Sequence, residues 1–452
     1  MSQSPSDPLD EDRAKDLAAA AIDAATKAGA DAADAVVLAD RSLSTTVRNG
    51  AIEEAEQAES TNIGLRVFVG HRSALVQLGS AAGLTDAAER AIAMAKAAPE
   101  DKTLGLAPKD QLTAGVGLDL DIYDGSTPTM DELVARSRAL EEAMQGVPGV
   151  TNSGGASAGA SHATRALATS EGFLASYRTS GHRHAGTAIA GAGTRMERDY
   201  WGSFRRYQSD LQDVREVGQT AARRAVRRLG GEPLSTRTAT IVFEPRAASG
   251  FLSHLLSAIN GSAVARGASL LAGKLGEAVF PDGITVKDNP QQQRGTASRP
   301  FDLEGLENPP LTLVKDGILA AYLLDLQSGR KLGLASNGRA YRGIGNPSPS
   351  STNVSVAGGS GDLESIMAEA GSGLLVNGLI GVGANIVSGN YSRGASGFWF
   401  ENGEVTHPVN EITIAGNLND MFRRAHFGDD APGLFAADAP TVAIEGLTIG
   451  GR

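Results

Sequence analysis

Three dipeptides constrain this chain more than any other feature: Asn49-Gly50, Asp316-Gly317 and Asn402-Gly403, each set between runs of β-forming residues. A two-residue loop of this kind holds both residues at positive φ, which Asn, Asp and Gly tolerate and which suits the twist of two antiparallel strands. The predicted arms are Leu43–Arg48 before the first loop, Leu311–Val314 and Ile318–Leu324 about the second, and Phe398–Phe400 and Val405–Thr406 about the third. Hairpins spread along the chain favour an α+β architecture of antiparallel sheets with flanking helices over a doubly wound parallel sheet. Glycine agrees: it makes up 56 of 452 residues, without period, and falls at turns and strand ends.

A chain of 452 residues exceeds one ordinary core, so several domains are expected. Residues 1–10, rich in Ser, Pro and Asp, read as a disordered tail. An N-terminal α+β domain spans 11–124, with an Ala-rich helix over Asp10–Ala28, short strands at Ala35–Leu38, Leu43–Arg48, Asn62–Val69 and Ser73–Leu78, and a helix at Thr85–Ala97. A middle α+β domain, 125–235, carries a helix over Thr127–Gly146 capped by Thr127 or Thr129, antiparallel strands between Val150 and Asp210, and a helix over Asp213–Leu229. A β-rich C-terminal domain, 236–452, opens with a strand at Thr238–Phe243 and a helix at Arg246–Asn260, includes a helix at Leu363–Ala370 and closes with a strand at Thr441–Ile449.

A net charge of −11 argues against nonspecific nucleic-acid binding, which draws on a basic face. With 0 cysteines there is no disulfide, thiolate nucleophile or Cys-ligated metal. Met1–Asp12 has no signal-peptide pattern, and no apolar run reaches the roughly 18 residues of a membrane span. A cytoplasmic protein without membrane contact is the expectation.

Several constellations invite a chemical reading. His182-x-His184 on a strand would project two imidazoles to one side, as a metal pair can, but no carboxylate is fixed nearby and a surface or cleft role is favoured. Gly155-Ala-Ser157-Ala-Gly159 has the letters of a nucleophile elbow, yet its flanks are polar and non-helical. Gly267–Leu275 fails as a phosphate loop because Leu275 stands where a magnesium-binding hydroxyl is required. Arg223, Arg224, Arg227 and Arg228 end a helix, where cations complement the dipole and solvate the surface. Glu197 and Asp199, beside Arg198 and Trp201, are expected in structural salt bridges rather than acid–base work.

The chain resembles the TldD/PmbA family over nearly its whole length, through Val47-Arg48-Asn49-Gly50, Gly64-Leu-Arg-Val67, Met196-Glu-Arg-Asp-Tyr200, Pro300-Phe-Asp302-x-Glu304-Gly305, Arg330-Lys-Leu-Gly333, the block Gly389–Phe422 and Leu447-Thr-Ile-Gly-Gly451. The catalytic branch of that family carries a zinc-binding His-Glu-x-x-x-His helix with a Cys as third ligand. Laid on the helix after Phe243, His254 matches the first His, while Leu255 replaces the Glu and Ile259 the second His. The resemblance therefore implies the PmbA (TldE) branch, the subunit without the zinc motif. It implies no catalytic or metal-binding residue and no cofactor in this chain. It further implies a heterodimer with a TldD-like zinc-binding subunit acting on unfolded or modified precursor peptides, with a homodimer possible when alone. A stand-alone binding or scaffold protein, modulating gyrase or an antitoxin, is the alternative. Tyr391, Arg393, Phe398 and Trp399, with His254, are the candidates for the peptide cleft or partner interface, because they bring aromatic area and a bidentate donor into a Gly-rich stretch.

Overall fold

The computed structural model describes residues 10–113 and 118–451. The tail expected at 1–10 lies outside them except for Asp10. That carboxylate accepts from the Asp12 amide at 2.9 Å and so caps α1 (Glu11–Lys27). Ala14, Ala18, Ala21 and Ala25 recur at helical spacing and are buried, so small side chains let α1 lie close on the sheet beneath it.

That sheet is built from β1 (Ala32–Arg48), β2 (Ala51–Val69), β3 (Arg72–Leu78), β4 (Val150–Thr169), β5 (Leu174–Ala190) and β6 (Glu197–Arg205). All neighbours are antiparallel, in the order β3-β2-β1-β4-β5-β6. Three further helices pack on it: α2 (Leu84–Ala97), α3 (Met130–Gln145) and α4 (Val214–Arg227). Helices α1 and α2 cover one end of the strands, and α3 and α4 the other. Pairing of β1 with β4 from Asp34↔Thr169 to Val47↔Ala156 joins the stretches 11–124 and 125–235 in this one sheet. Of the two caps considered for α3, Thr129 is the one in place, and it forms a capping box with Glu132.

The two short strands predicted at 35–38 and 43–48 are one strand. Asp40-Arg41-Ser42 reads as a break, but these residues are only half-buried between the two helix pairs and keep register with β2 and β4. Polar side chains are tolerated where a sheet face is left uncovered.

All three two-residue loops take the expected left-handed geometry, with φ of 51°, 49° and 53° at Asn49, Asp316 and Asn402. The Asn49 and Gly50 amides donate to the two oxygens of buried Glu141 on α3, at 2.8 and 2.7 Å, which fixes the hairpin tip. The second hairpin is shorter than predicted. Only Ile318 and Leu319 pair back, and Tyr322–Leu324 leave the sheet to fill the core.

The C-terminal unit is a mixed sheet around a helix. β7 (Arg237–Phe243) runs parallel to strand Ser372–Ile380 and antiparallel to strand Val442–Gly450. Strands Asn390–Glu401 and Glu404–Asn417 extend the other edge, and Thr413–Ala415 pair with Thr448–Gly450, closing the sheet on itself. Helix α5 (Pro245–Ala258) sinks Phe251, Leu252, Leu255 and Ala258 into the apolar core of this unit. The helix predicted at Leu363–Ala370 is present, capped by Asp362. The N-terminal sheet meets this unit at buried Asp34, which sits between Arg66 and Arg342, with Arg342 Nη1 at 2.8 Å. Phe301 seals the same seam, edge-on to Phe173 and Tyr177 at 5.2 and 5.3 Å. Among the described residues no helix is long and apolar enough to cross a membrane.

Candidate functional site

α5 carries the position that the resemblance makes decisive. Pro245 opens the helix at N1, where its missing amide costs nothing. On the exposed flank, Ser249, Ser253 and Ser257 each donate to the carbonyl four residues back. His254 lies beside this serine row, half-buried, its ring edge-on to Tyr391 at 5.8 Å. Burial, and then the charge of Arg393, push its pKa down to about 4, so the imidazole is neutral at pH 7. Leu255 and Ile259 are both 0% exposed and belong to the apolar core. One imidazole beside a guanidinium does not fit a zinc site, which needs three or four converging N, O or S donors. Among the described residues no group of three His, Asp or Glu converges on a common point.

Next to His254 a cleft of about 500 Å³ opens at the seam between the two units. Tyr200 and Arg198 of β6 form one wall; Arg393, Ile380 and Gly250 form the other. Three buried polar atoms around it lack a partner: Asn377 Oδ1, Arg393 Nε and Ser396 Oγ. Burying such groups unpaired is costly, so a wall that carries them suits a ligand with alternating donors and acceptors, as a peptide backbone has. Two large side chains of its lining stand open to solvent: Tyr200 and Ile380 are 57% and 66% exposed.

Beneath the cleft an ion network ties the units together. Asp199, 3% exposed, accepts from Arg246 at 2.9 and 3.2 Å and faces Arg224 Nε at 3.5 Å. Glu244 forks onto Arg224, and Glu197 meets Arg228 at 3.2 Å. Arg246 also donates to the carbonyls of Tyr200 and Asn377, at 2.9 and 2.8 Å, so its fork is filled. The expectation of structural salt bridges at Glu197 and Asp199 is met. The reading of the helix-end arginines changes in part: Arg224 and Arg228 turn inward because β6 presents carboxylates on the face that α4 covers.

The remaining candidates separate. Tyr391 is 4% exposed and meets His254 edge-on, and its hydroxyl is pushed up to about 12 by burial. Arg393 lines the cleft. Phe398 and Trp399 do not: alternation along the strand places them in separate apolar clusters, 4% and 8% exposed, with Arg227 over one ring and Arg237 over the other. A Gly-rich strand with two aromatics reads the same whether it is half-exposed or covered on both faces. His182 and His184 are also buried rather than at a surface or cleft, under the segment that carries Asp124. Gly155–Gly159 lies inside β4, where no strand-to-helix elbow exists. Sequence reasoning missed Tyr200 and Ile380 as cleft residues; Ile380 sits in an apolar, Gly-rich run, Leu379-Ile380-Gly381-Val382, where nothing marks it as exposed.

Profiles of the PmbA/TldA metallopeptidases match this chain in three blocks: domain 1 at residues 33–95, the central domain at 123–229 and the C-terminal domain at 236–451. The chain belongs to the PmbA/TldA metallopeptidase family. It is 37% identical over 402 residues to the metalloprotease PmbA of Escherichia coli O157:H7, covering 87% of this chain and 86% of that one. A PmbA homologue from Haemophilus influenzae is 37% identical over 408 residues, covering 89% and 88%. The fold superposes on a Bacteroides thetaiotaomicron protein named for modulation of DNA gyrase, with a TM-score of 0.89, 26% identity and coverage of 98% and 99%. TldE from Thermococcus kodakarensis shares the fold at a TM-score of 0.82, with 22% identity and coverage of 95% and 99%. The PmbA/TldE branch expected from the helix after Phe243 is thus the one that the two PmbA relatives, 37% identical, support.

Proposed function

We propose that this chain is the noncatalytic subunit of a heterodimeric zinc metallopeptidase, pairing with a TldD-like subunit that holds the metal, in the cytoplasm. The observation that carries the reading is α5. Where the catalytic branch has its general base and second histidine, this chain has Leu255 and Ile259, both spent on the core. The chain's share of the work is then to bind and exclude. The cleft beside Arg393 holds an extended segment by unpaired polar groups, and its exposed side chains Tyr200 and Ile380 meet the partner. A second holding surface is the edge of β2: β3 covers only Ile63–Val69, so Ala51–Asn62 is hydrogen-bonded on one side alone. Such an edge accepts a strand without regard to its sequence, which suits unfolded or modified precursor peptides.

Metal analysis of the isolated chain tests this reading. Less than a tenth of an equivalent of zinc, and no cleavage of peptides, is the expected result. About one zinc per chain with chelator-sensitive cleavage would sink it.

A further inference from the structure

Away from the cleft, a second cavity of about 310 Å³ lies between strands β4 and β5 and the loops 295–299 and 348–351. Its walls hold three arginines, Arg165, Arg206 and Arg299, and no carboxylate. Elsewhere along this seam other buried arginines meet an acid: Arg66 and Arg342 have Asp34, and Arg339 has Asp288. Arg165, Arg206 and Arg299 have no ion pair among the described residues. Arg206 donates to the carbonyls of Ser180, Gly295 and Thr296, a scaffold that fixes the guanidinium without neutralising it. Arg299 is 4% exposed, gives one long bond to the Ser350 carbonyl at 3.3 Å, and leaves Nε without a partner. Arg165 Nε is likewise buried and unpaired, and its fork meets two phenols and no acid, Tyr177 at 3.4 Å and Tyr341. The Tyr341 ring lies 5.1 Å from both the Arg165 and the Arg299 guanidinium, and at 38% exposure it forms the lip. Asp40 is close enough for Arg165 to act on it, but burial outweighs that attraction and holds its pKa above the usual carboxylate range.

Uncompensated buried charge is expensive, and a fold keeps it where a ligand supplies the counter-charge. We propose that this pocket binds a small oxyanion, a carboxylate or phosphate group, held by charge-assisted bonds from Arg165 and Arg299 and closed over by Tyr341. Planar forks fit either group bidentately. Ser351 lines the same space and adds a hydroxyl, while the Ser298 hydroxyl is taken up by the Gln292 carbonyl at 2.7 Å. The volume admits a free ion or the end of a chain, not a folded surface. The inference does not rest on the proposed partner subunit, and it is tested on the isolated full-length chain.

Titration calorimetry with inorganic phosphate, N-acetylglycine and N-acetylglycine amide tests it. One saturable site for phosphate or N-acetylglycine is expected, with none for the amide, and Arg165→Gln should weaken it at least about tenfold. Phosphate alone would assign a phosphoryl ligand; N-acetylglycine alone would assign a peptide chain end. Ser351→Asp places a carboxylate inside the pocket, so it should abolish binding and raise Tm by roughly 2 °C without ligand. This second variant decides the matter if Arg165→Gln does not fold. No binding of either anion, equal binding by a folded Arg165→Gln, or a lowered Tm in Ser351→Asp would overturn the proposal.

Discussion

The two arginine clusters at the seam of this molecule use the same side chain to opposite ends. Under the cleft, Arg224, Arg228 and Arg246 are interleaved with Glu197, Asp199 and Glu244, and the forks are filled by carboxylates and carbonyls. In the pocket behind β4 and β5, Arg165, Arg206 and Arg299 meet hydroxyls, carbonyls and a tyrosine ring; Asp302 and Asp288 act on Arg299 from behind, but no acid lines the pocket or closes an ion pair there. Both clusters sit in a chain of net charge −11, so acids were not scarce. The difference teaches that charge matching, rather than the presence of arginine, separates a brace from a receptor. The first cluster holds two units in register beside the cleft; the second keeps attraction in reserve.

The largest effect is expected where matching is complete. Asp199→Ala leaves three guanidiniums sharing two carboxylates, Glu197 and Glu244, at low exposure and should cost about 3 kcal/mol in urea unfolding. A loss under about 1 kcal/mol would show that the network is not a brace. Arg393→Ala comes next. Its Nε is unpaired and the side chain lines the cleft, so the fold should hold within about 0.5 kcal/mol while cleavage by the reconstituted complex falls about tenfold. Unchanged activity and unchanged partner affinity would remove Arg393 from the site.

Glu304 gives the mirror case, an acid without a cation of its own. It accepts from the Leu326 amide at 2.8 Å, and Arg66, the arginine acting on it, is already paired with Asp34. Burial, and then the neighbouring Asp302, raise its pKa above the ordinary carboxylate value of 4.5. A raised folded pKa means that the folded state holds the proton more tightly, so stability is full below about pH 4.5 and drains as pH climbs through the raised value. Glu304→Gln should flatten that decline, by about 1 kcal/mol between pH 6 and pH 9. An unaltered slope would show that Glu304 is not the group titrating. The smallest effect belongs to the unmatched pocket: Arg165→Gln should change stability by no more than about 0.5 kcal/mol in anion-free buffer, because no ion pair is lost. A loss near that of Asp199→Ala would erase the contrast between the clusters.

The backbone was more legible in the sequence than the site was. Asn49-Gly50 and Asn402-Gly403 announced their hairpins because positive φ demands those residues, and Thr129 with Glu132 announced a helix start for a similarly local reason. The unbroken run of β1 was hidden by Asp40-Arg41-Ser42, whose tolerance depends on which helices cover the sheet. The same limit applied to the site. Leu255 and Ile259 could be read as lost ligands from the letters, while the burial of Phe398 and Trp399 depends on what packs against each face of their strand. The arginine pocket left no signature at all. Arg165, Arg206 and Arg299 are scattered over the chain, and only β4–β5 pairing and the 295–299 loop bring them together.

The central claim is that this chain contributes a binding wall and the partner contributes the chemistry. The most direct measurement titrates purified TldD-like subunit with this chain and follows cleavage of a short unfolded peptide. Little cleavage by the partner alone, rising to a plateau near one-to-one, is the expected result, with folded proteins left intact throughout. Full cleavage by the partner alone, unchanged by any amount of this chain, would contradict the account and favour a stand-alone binding protein.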